Sequence, residues 1–595
     1  MKTKRTKNPE TQTLEPTDGV TVEPTEKLLR KWLTGLALVV LPVLMLVLCY
    51  HTIYYGLLNT ETLDFAQLGR NLSQGRGFVT YALRPLALTH GDNPLRQPDL
   101  IHGPLYPFFL ALSFGALGAT EHAVILVSGA FFVFTVWMAY LLGVRMFSRT
   151  VGLIAAAGLV FNASLLEYAM SGLHLTLILF LTTCLLYSFY HVACFTRDAG
   201  SGKRLPRVHL ALAGILTSAL YLSDYTFIVL IPVLLLVVLL FVPVRRLEAT
   251  AWFIIPAAVI AVPWMVRNAS VSGNALLALR GYEVWMNTST YPGYVAFRGL
   301  ASQMAPSAGL LKGVTKKVLM GITQVIQALP GISGNWLLAF FMPCLLFQFA
   351  DPAVNRLRRV AVTCFLSVAI FAVILGLRPP LLIGVVPCLL VFSAAFLLHL
   401  IQQARLSRSS VVLVGAMLTM TFVFPIGYQS FLIPKPSPAA EAGASRLVTQ
   451  RSGKNDVVLT DTPQAVAWYA DRPAIWVPYA DESTASLRER FKPRWLLLTD
   501  QVRHVSPYWQ VLYDRFSAWT AADQQARKVI EQREKQGLPA TGQVPESLTI
   551  GGKSARLFQI LEGFTTVSVG TKLSPTVVVG QLKGQGGANV GSTRR

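Results

Sequence analysis

The sequence predicts a polytopic α-helical membrane protein of about eleven transmembrane helices, followed by a small C-terminal extracytoplasmic α/β domain. Composition is the first reason. Of 595 residues, 53% are hydrophobic and only 14% charged, with a mean hydropathy of +0.49, a balance outside the range of ordinary soluble domains. The second is length: apolar runs able to cross a hydrocarbon core of about 30 Å recur between residues 33 and 433 and then stop. The third is charge, because Lys and Arg gather in alternate loops, as they do where cytoplasmic loops retain positive residues.

Residues 1–32 carry Lys2, Lys4, Arg5 and Lys7 in a Thr/Pro/Glu-rich stretch. No small-residue cleavage site follows the first apolar run, so this reads as a disordered basic cytoplasmic tail rather than a signal peptide. A first helix at 33–55 leads out into a polar loop, 56–121. If Arg145 and Arg149 are cytoplasmic, only one of the two apolar runs before them crosses. The run 103–118, within HGPLYPFFLALSFGALG, is short and opens with two prolines, so it reads as an interfacial helix and 122–144 as the span. Further spans follow at 150–166, 173–195, 208–222, 225–243 and 250–266. After a second outer loop, 267–332, come 333–350, 360–377, 380–401 and 410–433. The inner loops then hold Arg197/Lys203/Arg204/Arg207, Arg245/Arg246, Arg356/Arg358/Arg359 and Arg405/Arg408.

An odd number of crossings sends the remainder outside. A Pro/Ala linker, 434–444, precedes a domain at 445–565, where DVVLTD (456–461), AIWVP (474–478) and WLLLTD (495–500) alternate with helical signals and predict a parallel sheet. Only DTPQA follows its first strand, which lacks the glycines of a nucleotide fingerprint. Residues 566–595 read as a flexible tail. The net charge of +22 is explained by retained cytoplasmic loops rather than by nucleic acid. The six cysteines (Cys49, Cys184, Cys194, Cys344, Cys364, Cys388) lie in or beside apolar runs and indicate neither a disulfide framework nor a zinc site.

Between residues 30 and 433 there are eleven acids, none in the middle of a span. This argues against a proton-coupled carrier, which keeps ionisable groups at the midplane. All but Asp198, Glu248 and Asp351 fall outside, so a site is expected at the outer interface. The first loop opens with an amphipathic stretch, Leu63, Phe65, Ala66, Leu68 and Leu72, that would lie on the membrane and hold Asp64 beside the end of the first helix. In the second, GYEVWMNTSTYPGY (281–294) is aromatic and polar, and LLKGVTKKVLMGITQVIQAL (310–329) predicts a basic amphipathic interfacial helix.

Five segments in order, LDFAQLGRNLSQGRGF (63–78), RPLAL (84–88), HGPLYPFFLAL (102–112), SRTVGLIAAAGLVFNASLLEYAMSG (148–172) and VPWMVRN (262–268), carry a resemblance. Together they resemble the bacterial C-type glycosyltransferases, including the aminoarabinose-lipid A transferases and protein O-mannosyltransferases, over about residues 30–430. The resemblance implies transfer of a sugar from a polyprenyl-phosphate donor to a lipid, glycan or protein acceptor on the outer face of a bacterial inner membrane. Asp64 then matches the catalytic acid of the first outer loop, positioned to take a proton from the acceptor. Arg378 and Arg267 are the expected phosphate clamps, with Arg84, His102 and His174 as further substrate contacts. Two departures stand out. His102 occupies a place where relatives often carry Lys, and His174 lies where they place a second acid after the pair matching Ser171 and Gly172. Glu167, one turn earlier, is the substitute. No cofactor is implied with certainty, and a divalent metal is left open without assigned ligands. The alternative is a non-catalytic lipid-linked-sugar binding protein, or a transporter, with the same membrane fold.

Overall fold

The computed structural model describes most of residues 24–502, leaving out 198–204, 301–307, 334–339, 433–438 and positions 243, 244, 290, 294, 377, 406 and 500. Beyond 502 it describes 509–511, 513, 514, 532, 535 and two strands. The chain is a multi-pass membrane protein. Among the described residues seven helices are long and apolar enough to cross: Lys31–Thr52, Glu121–Met146, Leu175–Arg197, Arg246–Ser272, Pro352–Leu375, Pro379–Gln403 and Ser409–Tyr428. The expected span 150–166 becomes a bent pair, Arg149–Val160 and Ala163–Ser171, with a 57° break. Asn162 caps the second half by accepting from the Leu165 amide. The expected spans 208–222 and 225–243 correspond to the shorter helices Arg207–Ser223 and Tyr225–Phe241, divided at Asp224, whose side chain accepts from the Thr226 amide.

Two expectations about the membrane region change. Of the span expected at 333–350, residues 334–339 lie outside the described residues. Residue 333 instead ends the long helix Ala308–Ser333, and the described remainder is a six-residue helix, Phe341–Leu346, followed by extended chain. Asn355 fixes that turn by bonding both ways with the Phe349 backbone. The stretch around Asp64 forms a helix, Thr60–Ser73, but it is not laid on a membrane surface. Thr62 to Asn71 are all buried. One side packs on Leu105–Leu117, a helix of 13 residues and so about 20 Å long, short of a bilayer core. The fit is close enough that a Cβ on Gly69 would come 2.7 Å from the Leu110 Cβ. Another side is held by the C-terminal segment, where Arg70 donates to the Trp468 and Ala467 carbonyls at 2.7 and 2.6 Å.

The C-terminal segment brings its own sheet. Its strands are β1 (Ala82–Leu83), β2 (Val458–Thr460), β3 (Ala474–Trp476), β4 (Trp495–Leu498), β5 (Phe564–Ser568) and β6 (Val578–Leu582), in spatial order β1-β3-β2-β4-β6-β5. The first four in that order run parallel, and β6 and β5 extend them antiparallel. The sheet is therefore mixed, and residues 566–568 and 578–582 of the expected tail are strand. β1 belongs to the first loop of the membrane region, so loop and C-terminal segment share one sheet, with Leu83, Leu88, Leu459, Ile475, Leu496 and Leu498 in its apolar core.

Candidate active site

A cavity of about 680 Å³ lies where the helix Thr60–Ser73, the loops 56–121 and 267–332 and the ends of β2 and β3 meet. Its chemistry starts at Asp64, which the buried helix holds at 1% exposure. One carboxylate oxygen, Oδ2, accepts from Arg84 at 2.5 Å, with His102 Nε2 at 3.8 Å. The other, Oδ1, is buried and has no hydrogen-bond partner among the described residues. Burial raises the Asp64 carboxyl above the usual aspartate range, against the opposing pull of Arg84 and His102. His102 is held in turn by Asp99, whose Oδ2 lies 3.3 Å from Nδ1 and whose Oδ1 accepts the Ile101 and His102 amides. Despite burial, the neighbouring His102 holds Asp99 down at about 2.

Arg378 forms a second centre on the same cavity. Just ahead of the turn Pro379–Val385, it pairs with Glu61 at 2.9 Å and with Glu283, and its Nη1 lies 3.8 Å from Asp224. Buried Arg280 contacts Asp224 at 3.0 Å and Glu283 at 3.2 Å. His174 Nε2 lies 3.5 Å from Asp224, its ring packed on Phe65 at 4.8 Å. Despite burial, Arg280 and its neighbours hold Asp224 well below the usual carboxylate range. Three acids thus surround two guanidiniums, which keeps Arg378 oriented and limits how tightly it can grip an added anion.

Glu61, His174 and Asp224 each offer a ligand atom, all within 4.8 Å of one another. Asp224 Oδ2 and His174 Nε2 are buried without a well-formed hydrogen bond among the described residues. This set of two carboxylates and an imidazole fits a divalent cation.

The remaining expected residues divide. Arg84 and His102 sit on Asp64. Arg267 does not line the cavity: it donates to the Asp99 carbonyl at 2.8 Å and stacks on Trp264, which makes it a support behind the Asp99 turn rather than a clamp inside. Glu167 is exposed on the helix Ala163–Ser171, whose buried face is Leu165, Leu166, Ala169 and Met170, and it too lies off the cavity. The acid beside His174 is Asp224. Sequence reasoning assigned no role to Glu61, Asp99, Asp224, Arg280 or Glu283. The available signal was that the four acids among them fall between the apolar runs of a chain poor in acids.

The helix Thr60–Ser73 thus carries a buried carboxylate to a cavity that the C-terminal sheet covers on one side. Residues 101–269 match the family described as dolichyl-phosphate-mannose-protein mannosyltransferase. The fold is shared with ArnT from Cupriavidus metallidurans, solved bound to undecaprenyl phosphate, at 13% identity over 80% of this chain and 94% of that one, with a TM-score of 0.50. It is shared also with the oligosaccharyltransferase AglB from Archaeoglobus fulgidus, solved with an inhibitory peptide and a dolichol-phosphate, at 14% identity over 81% and 71% of the two chains, with a TM-score of 0.52. Among curated proteins none matches. The chain is thus similar to the C-type glycosyltransferases in fold and, over 101–269, in sequence, as its motifs led us to expect.

Proposed function

We propose that the protein is a glycosyltransferase that moves a sugar from a polyprenyl-phosphate carrier to a hydroxyl acceptor at the outer face of a bacterial inner membrane. The proposal places the N-terminus in the cytoplasm and the C-terminal α/β domain outside. The observation that carries it is Asp64: a buried carboxylate on a ligand-sized cavity, one oxygen fixed by Arg84 and the other without a hydrogen bond among the described residues. Buried carboxylates that only shape a fold normally have both oxygens satisfied.

In the reaction, the acceptor oxygen bonds to the anomeric carbon as the bond from that carbon to the phosphate oxygen breaks, and the electron pair leaves with the lipid phosphate. The acceptor proton passes to Asp64 Oδ1. Arg84 keeps the carboxylate ionised and aimed, and His102, anchored by Asp99, supports it from the side. Arg378, oriented by Glu61 and Glu283, presents its guanidinium to the departing phosphate. A divalent cation on Glu61, His174 and Asp224 would supply further charge for that phosphate.

Asp64→Asn keeps the size of the side chain and removes the base. In membranes with equal levels of each protein, transfer of radiolabelled sugar from polyprenyl-phosphate donors should fall by about 10²-fold or more. Transfer at the wild-type rate would overturn the mechanism.

A further inference from the structure

The helix Thr60–Ser73 carries Asp64 near its start and Arg70 near its end, six residues and about 9 Å apart along the axis. Arg70 does not line the cavity. Its buried guanidinium is taken up by one turn of the C-terminal segment: besides its bonds to the Trp468 and Ala467 carbonyls, Nη2 lies 2.8 Å from Asp471 Oδ1, and the charge sits 5.2 Å from the centre of the Trp468 ring. Arg76, just past the helix, grips the same carboxylate at 3.1 and 3.4 Å and donates back to the Asn71 side chain. One acid of the C-terminal segment is thus shared by two arginines at the end of the helix that holds Asp64.

The turn that offers these groups is irregular. Val466–Ala470 form a single turn of π-helix, a winding found mostly at functional sites, and Asp471 ends it in the left-handed region at φ 51°, which Asp and Asn adopt more readily than other side chains. Arg472 fixes the turn from its own side by donating to the Ser452 hydroxyl and carbonyl, each at 3.1 Å. Trp468 also stacks on Phe114 of the helix Leu105–Leu117, so the turn touches both helices of that pair. Just upstream, Asp461, Thr462 and Gln464 line the cavity. One short stretch, 461–471, therefore carries both a wall of the cavity and the clamp on the helix beside it. A helix of 14 residues is marginal in isolation, so its order depends on what covers it.

Building on the proposed function, we infer that Arg70 and Asp471 are positioning residues for transfer: through them the turn 466–471 pins the helix that carries Asp64 and keeps water from its carboxylate. Neither lines the cavity, so both act through Asp64 alone. The two carboxylates separate in pH. Burial raises Asp64, which faces Arg84 and His102 with Asp99 behind them, whereas, despite burial, Arg76 and Arg70 hold Asp471 below the usual carboxylate range. The clamp thus stays charged over the range in which Asp64 titrates. Loosening it admits water to Asp64 and relieves the burial that raises its pKa.

The test uses the full-length protein in detergent and two variants: Arg70→Met, which leaves two carbonyls without their donor, and Asp471→Asn, which suits the left-handed backbone but loses the charge. In amide hydrogen exchange read by mass spectrometry, residues 60–73 and 462–471 should lose protection together, about tenfold in Arg70→Met and less in Asp471→Asn, while the helix Leu175–Arg197 stays as in the wild type. In transfer assays kcat should fall severalfold with donor KM held, and the acid limb of the rate–pH profile should move down by about one pH unit. A residue that served folding alone would lower the yield of active protein and leave that limb in place. Wild-type protection of 60–73 in both variants, or an unmoved acid limb in both, would overturn the inference. A wild-type protein that transfers no sugar at any pH would count against the proposed function instead, and the exchange measurement would still decide whether the turn pins the helix.

Discussion

Asp64 combines two demands that usually conflict. It must be ionised to take a proton, yet burial favours its neutral form, and Arg84 is the charge that opposes burial. The sign of the pH dependence follows. A base with a raised pKa is lost to protonation as pH falls through that raised value, so the acid limb of transfer should lie above the ordinary aspartate value of about 4. A rate–pH profile checks this. Arg378→Lys retains charge but loses the fork that spans Glu61 and Glu283, so donor KM should rise about tenfold with a smaller change in kcat for transfer. Asp64 was legible in the sequence because one motif, LDFAQLGR, holds it a few residues beyond the first span. The acids and the arginine around Arg378 were not. Glu61, Asp224 and the Arg280/Glu283 pair come from three separate segments, and no periodicity relates segments that only the tertiary fold brings together. Glu167 failed for a local reason: as part of a helix it points away from the buried face that its neighbours define.

At the scale of elements, the sequence showed where helices begin and end better than what covers them. The amphipathic pattern at 63–72 suggested a helix lying on lipid, whereas the apolar side packs on Leu105–Leu117 and the C-terminal segment covers much of the rest. Such a cover is contributed from nearly four hundred residues away and leaves no local trace. The helix Ala308–Ser333 has an exposed apolar side, with Leu319, Ile322 and Ile326, as its basic amphipathic pattern led us to expect. It also carries buried Lys317, whose Nζ donates to the carbonyls of Glu283, Val284 and Leu375. One residue thereby ties the helix to the turn of Glu283 and to the segment leading into Arg378. Burial lowers its ammonium to about 8. Lys317→Met should leave three carbonyls without this donor, raise donor KM severalfold, and expose the helix to limited proteolysis; an unchanged KM and digestion pattern would remove Lys317 from the positioning of the site.

For the whole molecule, membrane character, most spans and the sheet core at 458, 475 and 496 could be read from hydropathy and alternation. Sharing of the sheet could not, because Ala82–Leu83 is too short a strand to give a pattern. Yet that strand is what seats the C-terminal sheet over the cavity. The threading implies that this sheet faces outward, and a cysteine introduced at exposed Ser486 should react with a membrane-impermeant maleimide in intact spheroplasts. Protection there, with labelling only after lysis, would reverse the topology. The most direct measurement is the position of the lipid phosphate itself, by electron cryomicroscopy of the purified protein with decaprenyl phosphate. Phosphate density on Arg378, inside the cavity that Asp64 lines, is the expected result. Density at another site, with the Asp64 cavity empty of lipid at saturating concentration, would contradict the assignment of this cavity as the place of transfer.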